Sequence, residues 1–219
     1  AGSTGSCPSL GGTKQGVWCM NSALIDIGMT IVQPLFSLAM LLIAVRFLAQ
    51  LSGVSGYNPI SMTLRRLTNV IVLPLSRLLP SGNRFSPGAL LALLLIQVMF
   101  IALMFAFEGR LDAFNVLQAL IWAAIGCASL LVNIIFYSVI AMIVVSFLAP
   151  QSSNPAVEFI WELTEPVMAP LRRILPPMGG LDFSPIILFI VLNVIRVSLG
   201  HMAAAVGLVA QSARYVIGI

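Results

Sequence analysis

The sequence predicts an all-α polytopic membrane protein built from two tandem parallel repeats, and three observations carry that reading. First, 59% of the 219 residues are hydrophobic and only 8% are charged, far below the roughly one quarter charged that soluble domains need to cover their surface. Second, the chain holds four charge-poor runs long enough to cross about 30 Å of hydrocarbon as helices. Third, its two halves repeat one another at an offset of 96 residues.

Taken in chain order, residues 1–19, AGSTGSCPSLGGTKQGVWC, are rich in Gly, Ser and Thr and lack the apolar core of a secretory signal. They read as a disordered leader or upstream extension, with a native start at Met20. The first span is expected over 24–48, because the 19 residues between Asp26 and Arg46 are uncharged. The second, over 86–107, fills the 23 uncharged residues between Arg84 and Glu108. No charge interrupts the 45 residues between Asp112 and Glu158, which places a third span at 122–148 with an interfacial lead-in from Phe114. The fourth, 184–206, contains Arg196 and His201. Residues 20–112 and 113–219 form the two repeats.

The repeat is explicit. Asn58-Pro59 matches Asn154-Pro155, and Leu67-Thr68 matches Leu163-Thr164. Pro74-Leu75-Ser76-Arg77-Leu78-Leu79-Pro80 matches Pro170-Leu171-Arg172-Arg173-Ile174-Leu175-Pro176, and after a two-residue change in gap, which makes the offset 98, Phe85-Ser86-Pro87 matches Phe183-Ser184-Pro185. Each unit crosses twice, so both copies keep one orientation about an axis along the membrane normal. The F-S-P elements read as starts of spans two and four, with Ser as N-cap and Pro in the first turn. The segments between spans are too apolar for free loops. Ile60, Leu64, Leu67 and Ile71 recur at helical spacing, as do Ile160, Leu163, Val167, Leu171 and Ile174, beside a stripe of Glu158, Glu162 and Glu165. Each reads as an amphipathic interfacial helix that Pro74 or Pro170 should kink or break.

Orientation follows from arginine asymmetry. Arg65, Arg66, Arg77, Arg84, Arg172 and Arg173 lie on the loops between spans, against Lys14, Arg110 and Arg214 on the opposite side. Both long loops are therefore expected in the cytoplasm and both termini outside it.

At these residues the chain resembles the YggT family, also called YlmG, of small bacterial and plastid membrane proteins. The resemblance rests on the NP pairs, the P-L-x-R-x-L-P elements, and the run from Pro170 through Pro177-Met178-Gly179-Gly180-Leu181-Asp182 to Pro185. It covers the chain from Met20 onward. The first copy departs from it, with Ser81-Gly82-Asn83-Arg84 in place of the longer linker. The resemblance implies a non-enzymatic component of the bacterial inner membrane, tied to osmotic-shock tolerance and ion balance, to the division gene neighbourhood, or in plastids to cytochrome assembly and nucleoid organisation. It carries no catalytic residues over.

The residues themselves offer little chemistry. A single histidine, His201, rules out multi-histidine metal sites and a choice of triads. Neither a Walker loop nor a dinucleotide fingerprint is present. Cys7, Cys19 and Cys127 lack metal spacing, and Cys127 reads as a buried thiol. Glu158, Glu162, Glu165 and Asp182 read as a solvated face rather than a cation site, and Gly179-Gly180 as a tight turn with Asp182 offsetting the next helix start. No enzyme activity, cofactor, metal or nucleic acid is expected. Arg65, Arg66, Arg77, Arg172 and Arg173 suit anionic lipid headgroups, and a membrane-protein partner or self-association is expected.

Two functions compete: a scaffold or assembly factor, and a small transporter or channel subunit in osmotic or potassium balance, which would need polar residues lining a path. Arg196, opposite apolar Val98 in the first repeat, either marks such a functional path or snorkels outward beside His201. Glu162 stands at the repeat position of Arg66, an arrangement suited to pairing across the axis.

Overall fold

The structure is a computed structural model. It describes residues 13–77, 85–148, 154–174, 184–208 and 215–218, and for residues 13–26, 113 and 147 the backbone alone. Asp182, the Gly179-Gly180 turn, Phe183 and Arg84 lie outside the described residues.

Six α-helices appear among the described residues: α1 (Thr13–Ser52), α2 (Pro59–Ser76), α3 (Pro87–Phe107), α4 (Val116–Leu148), α5 (Pro155–Ile174) and α6 (Ser184–Ala205). Within α1, α3, α4 and α6, the stretches Ile27–Ser52, Pro87–Phe107, Val116–Ser146 and Ser184–Ala205 are long and apolar enough to cross a membrane. These are the four expected spans, extended by four residues at the end of the first and by six at the start of the third. The expected leader is not wholly separate, because α1 begins at Thr13.

The spans pack in a definite order. α3 lies against α1, α2 and α4, whereas among the described helices α6 packs only on α4 and α5 and forms one edge. Two apolar cores result. The larger joins α1, α3 and α4 around Met40, Ile43, Leu93, Phe100 and Ile101. The smaller lies between α4, α5 and α6 and contains Phe136, Val139, Met142, Met168, Leu188 and Leu192. Lipid tails supply no hydrophobic drive between spans, so close approach falls to small residues. Gly88 shows this: a Cβ there would sit 2.8 Å from the Ser76 Cα of α2. α1 ends on Gly53 at φ 75°, which lets the Val54 amide reach the Ala49 carbonyl at 2.9 Å and close the helix.

Three local expectations need correction. Pro170 does not break α5, which carries Pro166 and Pro170 and runs on to Ile174. Pro74 lies inside α2, which ends two residues later. All three prolines are on exposed faces, where the ring does not press on the packed core. Ser86 is the N-cap of α3 with Pro87 in its first turn, but its side chain makes no capping bond. α6 begins on Ser184 itself. Finally, the buried stripe of α2 is Ser61, Leu64, Thr68 and Val72, while Leu67 and Ile71 are exposed. In α5 it is Phe159, Leu163, Thr164 and Met168, and Ile174 is exposed. Each helix buries hydroxyl residues among apolar ones, Ser61 and Thr68 in α2 and Thr164 in α5, and leaves further apolar side chains outside the bundle.

Candidate functional site

Asn-Pro starts both short helices. The Asn58 Oδ1 accepts from the Ile60 amide at 3.0 Å, and the Asn154 Oδ1 accepts from the Ala156 amide at 2.9 Å. Each is an N-cap ahead of a proline whose missing N–H leaves no orphan donor. Asn58 is also buried, and its Nδ2 donates to the Pro155 carbonyl at 2.9 Å, tying the start of α2 to the start of α5. Asn58→Ala is expected to cost about 2 kcal/mol of stability, more than Asn154→Ala, because it removes a cap and a buried bond together. Thermal unfolding of the two variants in nanodiscs checks the order.

Further bonds knit these helices to α1. Arg46, half-buried near the end of α1, directs Nη1 to the Thr68 Oγ1 at 2.8 Å, the Asn69 Oδ1 at 2.9 Å and the Arg65 carbonyl at 3.4 Å. At the last residue of α1, the Ser52 hydroxyl donates to the Leu163 carbonyl at 3.1 Å, and just beyond it the Ser55 amide donates to the Glu162 carboxylate at 2.9 Å. α2 and α5 also pack directly on each other. They form one platform, joined across the two halves of the chain.

The candidate residues distribute over this platform unevenly. Arg65, Arg66, Arg77 and Arg173 are exposed, beside the exposed apolar side chains Leu67, Val70, Leu73 and Ile174. Arg172 instead pairs with Glu165 at 2.8 Å along α5, an exposed bridge that contributes about 0–1 kcal/mol. The expected pairing of Arg66 with Glu162 is not formed among the described residues, because Glu162 holds the Ser55 amide while Arg66 points outward. The helices do pack together, but through Asn58, Ser55 and Ser52. Groups of three or more metal-ligating side chains do not occur among the described residues.

Arg196 makes a second polar region, within the fourth span. Its guanidinium carbon stands 4.3 Å from the ring centroid of Phe136 and 5.9 Å from that of Tyr137. Side chains on a helix lean toward its N-terminus, and Arg196 accordingly lies on the α4 aromatics instead of snorkelling outward beside His201. It borders a cleft of about 300 Å³ that also involves Ser129, Asn133, Asn193, Gly200 and Gly218. The segment 215–218 closes the cleft on one side. The Tyr215 hydroxyl bonds the Glu108 carboxylate, and the Asn133 Nδ2 donates to the Gly218 carbonyl at 2.9 Å.

Sequence reasoning missed the roles of Arg46, Asn58, Ser55 and the segment 215–218. A signal existed for two of these. Asn58 belonged to a repeated Asn-Pro, and the 96-residue offset sets Arg46 against apolar Met142, marking it as specific to the first copy.

Comparison with known proteins places the sequence in a family. The CCB3/YggT family matches residues 121–203. An uncharacterized protein of Pseudomonas aeruginosa is 34% identical over 182 residues, covering 83% of this chain and 92% of its own length. YggT of Escherichia coli K12, also uncharacterized, is 33% identical over 156 residues, or 69% of this chain and 77% of that one. A protein of Haemophilus influenzae is 28% identical over 159 residues, with 72% and 83% covered. No solved structure matches. With identity above 30% across most of both chains, this protein belongs to the CCB3/YggT family.

Proposed function

We propose that the chain is a non-enzymatic membrane scaffold or accessory factor, made of two tandem copies of a two-span unit in the bacterial inner membrane. In this reading α2 and α5 lie together at the cytoplasmic interface, both termini are outside, and the protein serves envelope processes such as osmotic-stress tolerance. The observation that carries it is the joint fixing of α2 and α5 by Arg46, Asn58, Ser52 and Ser55. Hydrogen bonds of this kind build a rigid surface. Exposed Arg65, Arg66, Arg77 and Arg173 suit anionic headgroups, and the exposed apolar side chains among them suit the acyl boundary.

A transport reading draws on one observation, the polar cleft at Arg196, and two measurements separate the readings. In proteoliposomes, potassium flux is expected to stay at the level of empty vesicles, and flux above that level would favour transport. In cells lacking the native protein, joint replacement of Arg65, Arg66, Arg77 and Arg173 by glutamine is expected to leave insertion intact and to abolish survival of osmotic downshock. Full survival would remove the basic platform from the account.

A further inference from the structure

Arg196 lies twelve residues past the start of α6 and nine before its end, so its Cα is about 18 Å and about 13 Å from the two ends at 1.5 Å per residue. Its side chain leans further toward the middle, onto Phe136. A cation at such depth costs at least about 2.5–3.5 kcal/mol on insertion scales, and aromatic faces offset only part of that. Yet among the described residues Arg196 has no ion pair and no hydrogen bond. Asn193, exposed on the same face of α6, has no hydrogen bond there either.

We propose that the cleft between α4 and α6 docks a transmembrane helix of a different membrane protein, one that carries Asp or Glu near the middle of its span. The inference rests on the scaffold reading, since it gives that scaffold a partner of stated chemistry. Four features select this occupant. Among the described helices α6 is the edge span, packed only on α4 and α5. Asn193, Val197, Gly200 and Ala204 are exposed and, at spacings of three and four, share one face of α6 beside Arg196. A Cβ on Gly200 would meet nothing within 4 Å, so packing inside this chain does not require the glycine, whereas a second helix approaching closely would. The stretches Ile27–Ser52, Pro87–Phe107, Val116–Ser146 and Ser184–Ala205 contain no Asp or Glu, so a second copy offers no carboxylate at the depth of Arg196. Headgroup phosphates lie at the span ends, more than a side chain's reach from Arg196.

The test uses the full-length protein in phosphatidylcholine vesicles and a labelled Leu/Ala host helix with one central Glu, against the same host with Leu there. Energy transfer reads association, at alkaline pH to keep the carboxylate ionised. The Glu host is expected to associate about ten-fold more tightly than the Leu host, equivalent to about 1.4 kcal/mol. Arg196→Leu should abolish the preference and Arg196→Lys should retain it. Gly200→Leu, which leaves the charge in place but fills the face, should weaken association of the Glu host about ten-fold. Equal association of the two hosts, or a preference that survives Arg196→Leu, would overturn the inference. So would loss of the preference when phosphatidylglycerol is added, which would assign the cleft to an anionic lipid headgroup. The platform plays no part in this readout. A preference that persists while the glutamine-substituted platform supports full survival would leave the docking site standing and the platform reading refuted.

Discussion

Replacing Arg46 by methionine is expected to lower stability by about 2 kcal/mol, although methionine occupies the matching position of the second half. The reason lies in what each side chain meets. Arg46 spans from α1 to two side chains and one carbonyl of α2, with its closest contact to the Thr68 Oγ1 at 2.8 Å. In the other half, the one proton of the Thr164 hydroxyl has the Ile160 carbonyl at 2.9 Å and the Met142 Sδ at 3.3 Å as alternative acceptors, so methionine leaves no polar group unmet at that site. Arg46→Met would leave the Asn69 Oδ1 without its donor, while the Thr68 hydroxyl keeps its bond to the Leu64 carbonyl at 2.6 Å. Bonds to a charged donor contribute about 1.5–3 kcal/mol. Release of a half-buried charge offsets part of that. Thermal unfolding in nanodiscs measures the loss, and a loss under about 0.5 kcal/mol, the range of ordinary surface changes, would mean that Arg46 does not hold α2 to α1.

Gly126→Val carries the other large expected effect, because it strikes the seat of segment 215–218 on α4. A Cβ at Gly126 would lie 2.3 Å from the Val216 Cγ1, 3.2 Å from the Gln97 Nε2 and 3.2 Å from the Ile217 carbonyl oxygen. Overpacking of this kind costs about 1–3 kcal/mol, and Gln97 is already buried with its amide unbonded among the described residues. The cheapest relief is departure of the segment, with loss of the Asn133 bond to Gly218. A cysteine placed at buried Ile217 reports this: its thiol reactivity is expected to rise at least about ten-fold in the Gly126→Val background. An unchanged rate would mean that the segment is held elsewhere.

The spans were legible because a charge inside hydrocarbon is costly, so the uncharged runs from Asp26 to Arg46 and from Arg84 to Glu108 mark them directly. Asn-Pro was legible as a repeated pair, and its capping role follows from residue type. The rotation of α2 and α5 was not. In the proposed interfacial setting α2 and α5 have two apolar environments, lipid and bundle, and periodicity cannot say which takes Leu67 and which takes Thr68. Hydroxyl residues that return their bonds to carbonyls four back, as Thr68 does to Leu64, are compatible with burial despite a polar label. Charge matching at equivalent positions suggested Arg66 with Glu162, but a backbone amide at Ser55 competes for the same carboxylate. The seat of segment 215–218 depends on contacts distant in the chain, such as Asn133 with Gly218 across 85 residues, which no local pattern encodes.

The central claim is that α2 and α5 form one platform on the cytoplasmic face of four spans, and side-specific labelling tests it most directly. In a cysteine-free background, cysteines replace Tyr57, exposed at the start of α2, Asp112, exposed between α3 and α4, and Glu158, exposed in the first turn of α5. With a membrane-impermeant thiol reagent, the sites at 57 and 158 should react in inside-out vesicles alone, and the site at 112 in intact spheroplasts alone. Reaction of 57 and 158 from opposite sides, or of 57 and 112 from the same side, would contradict the account.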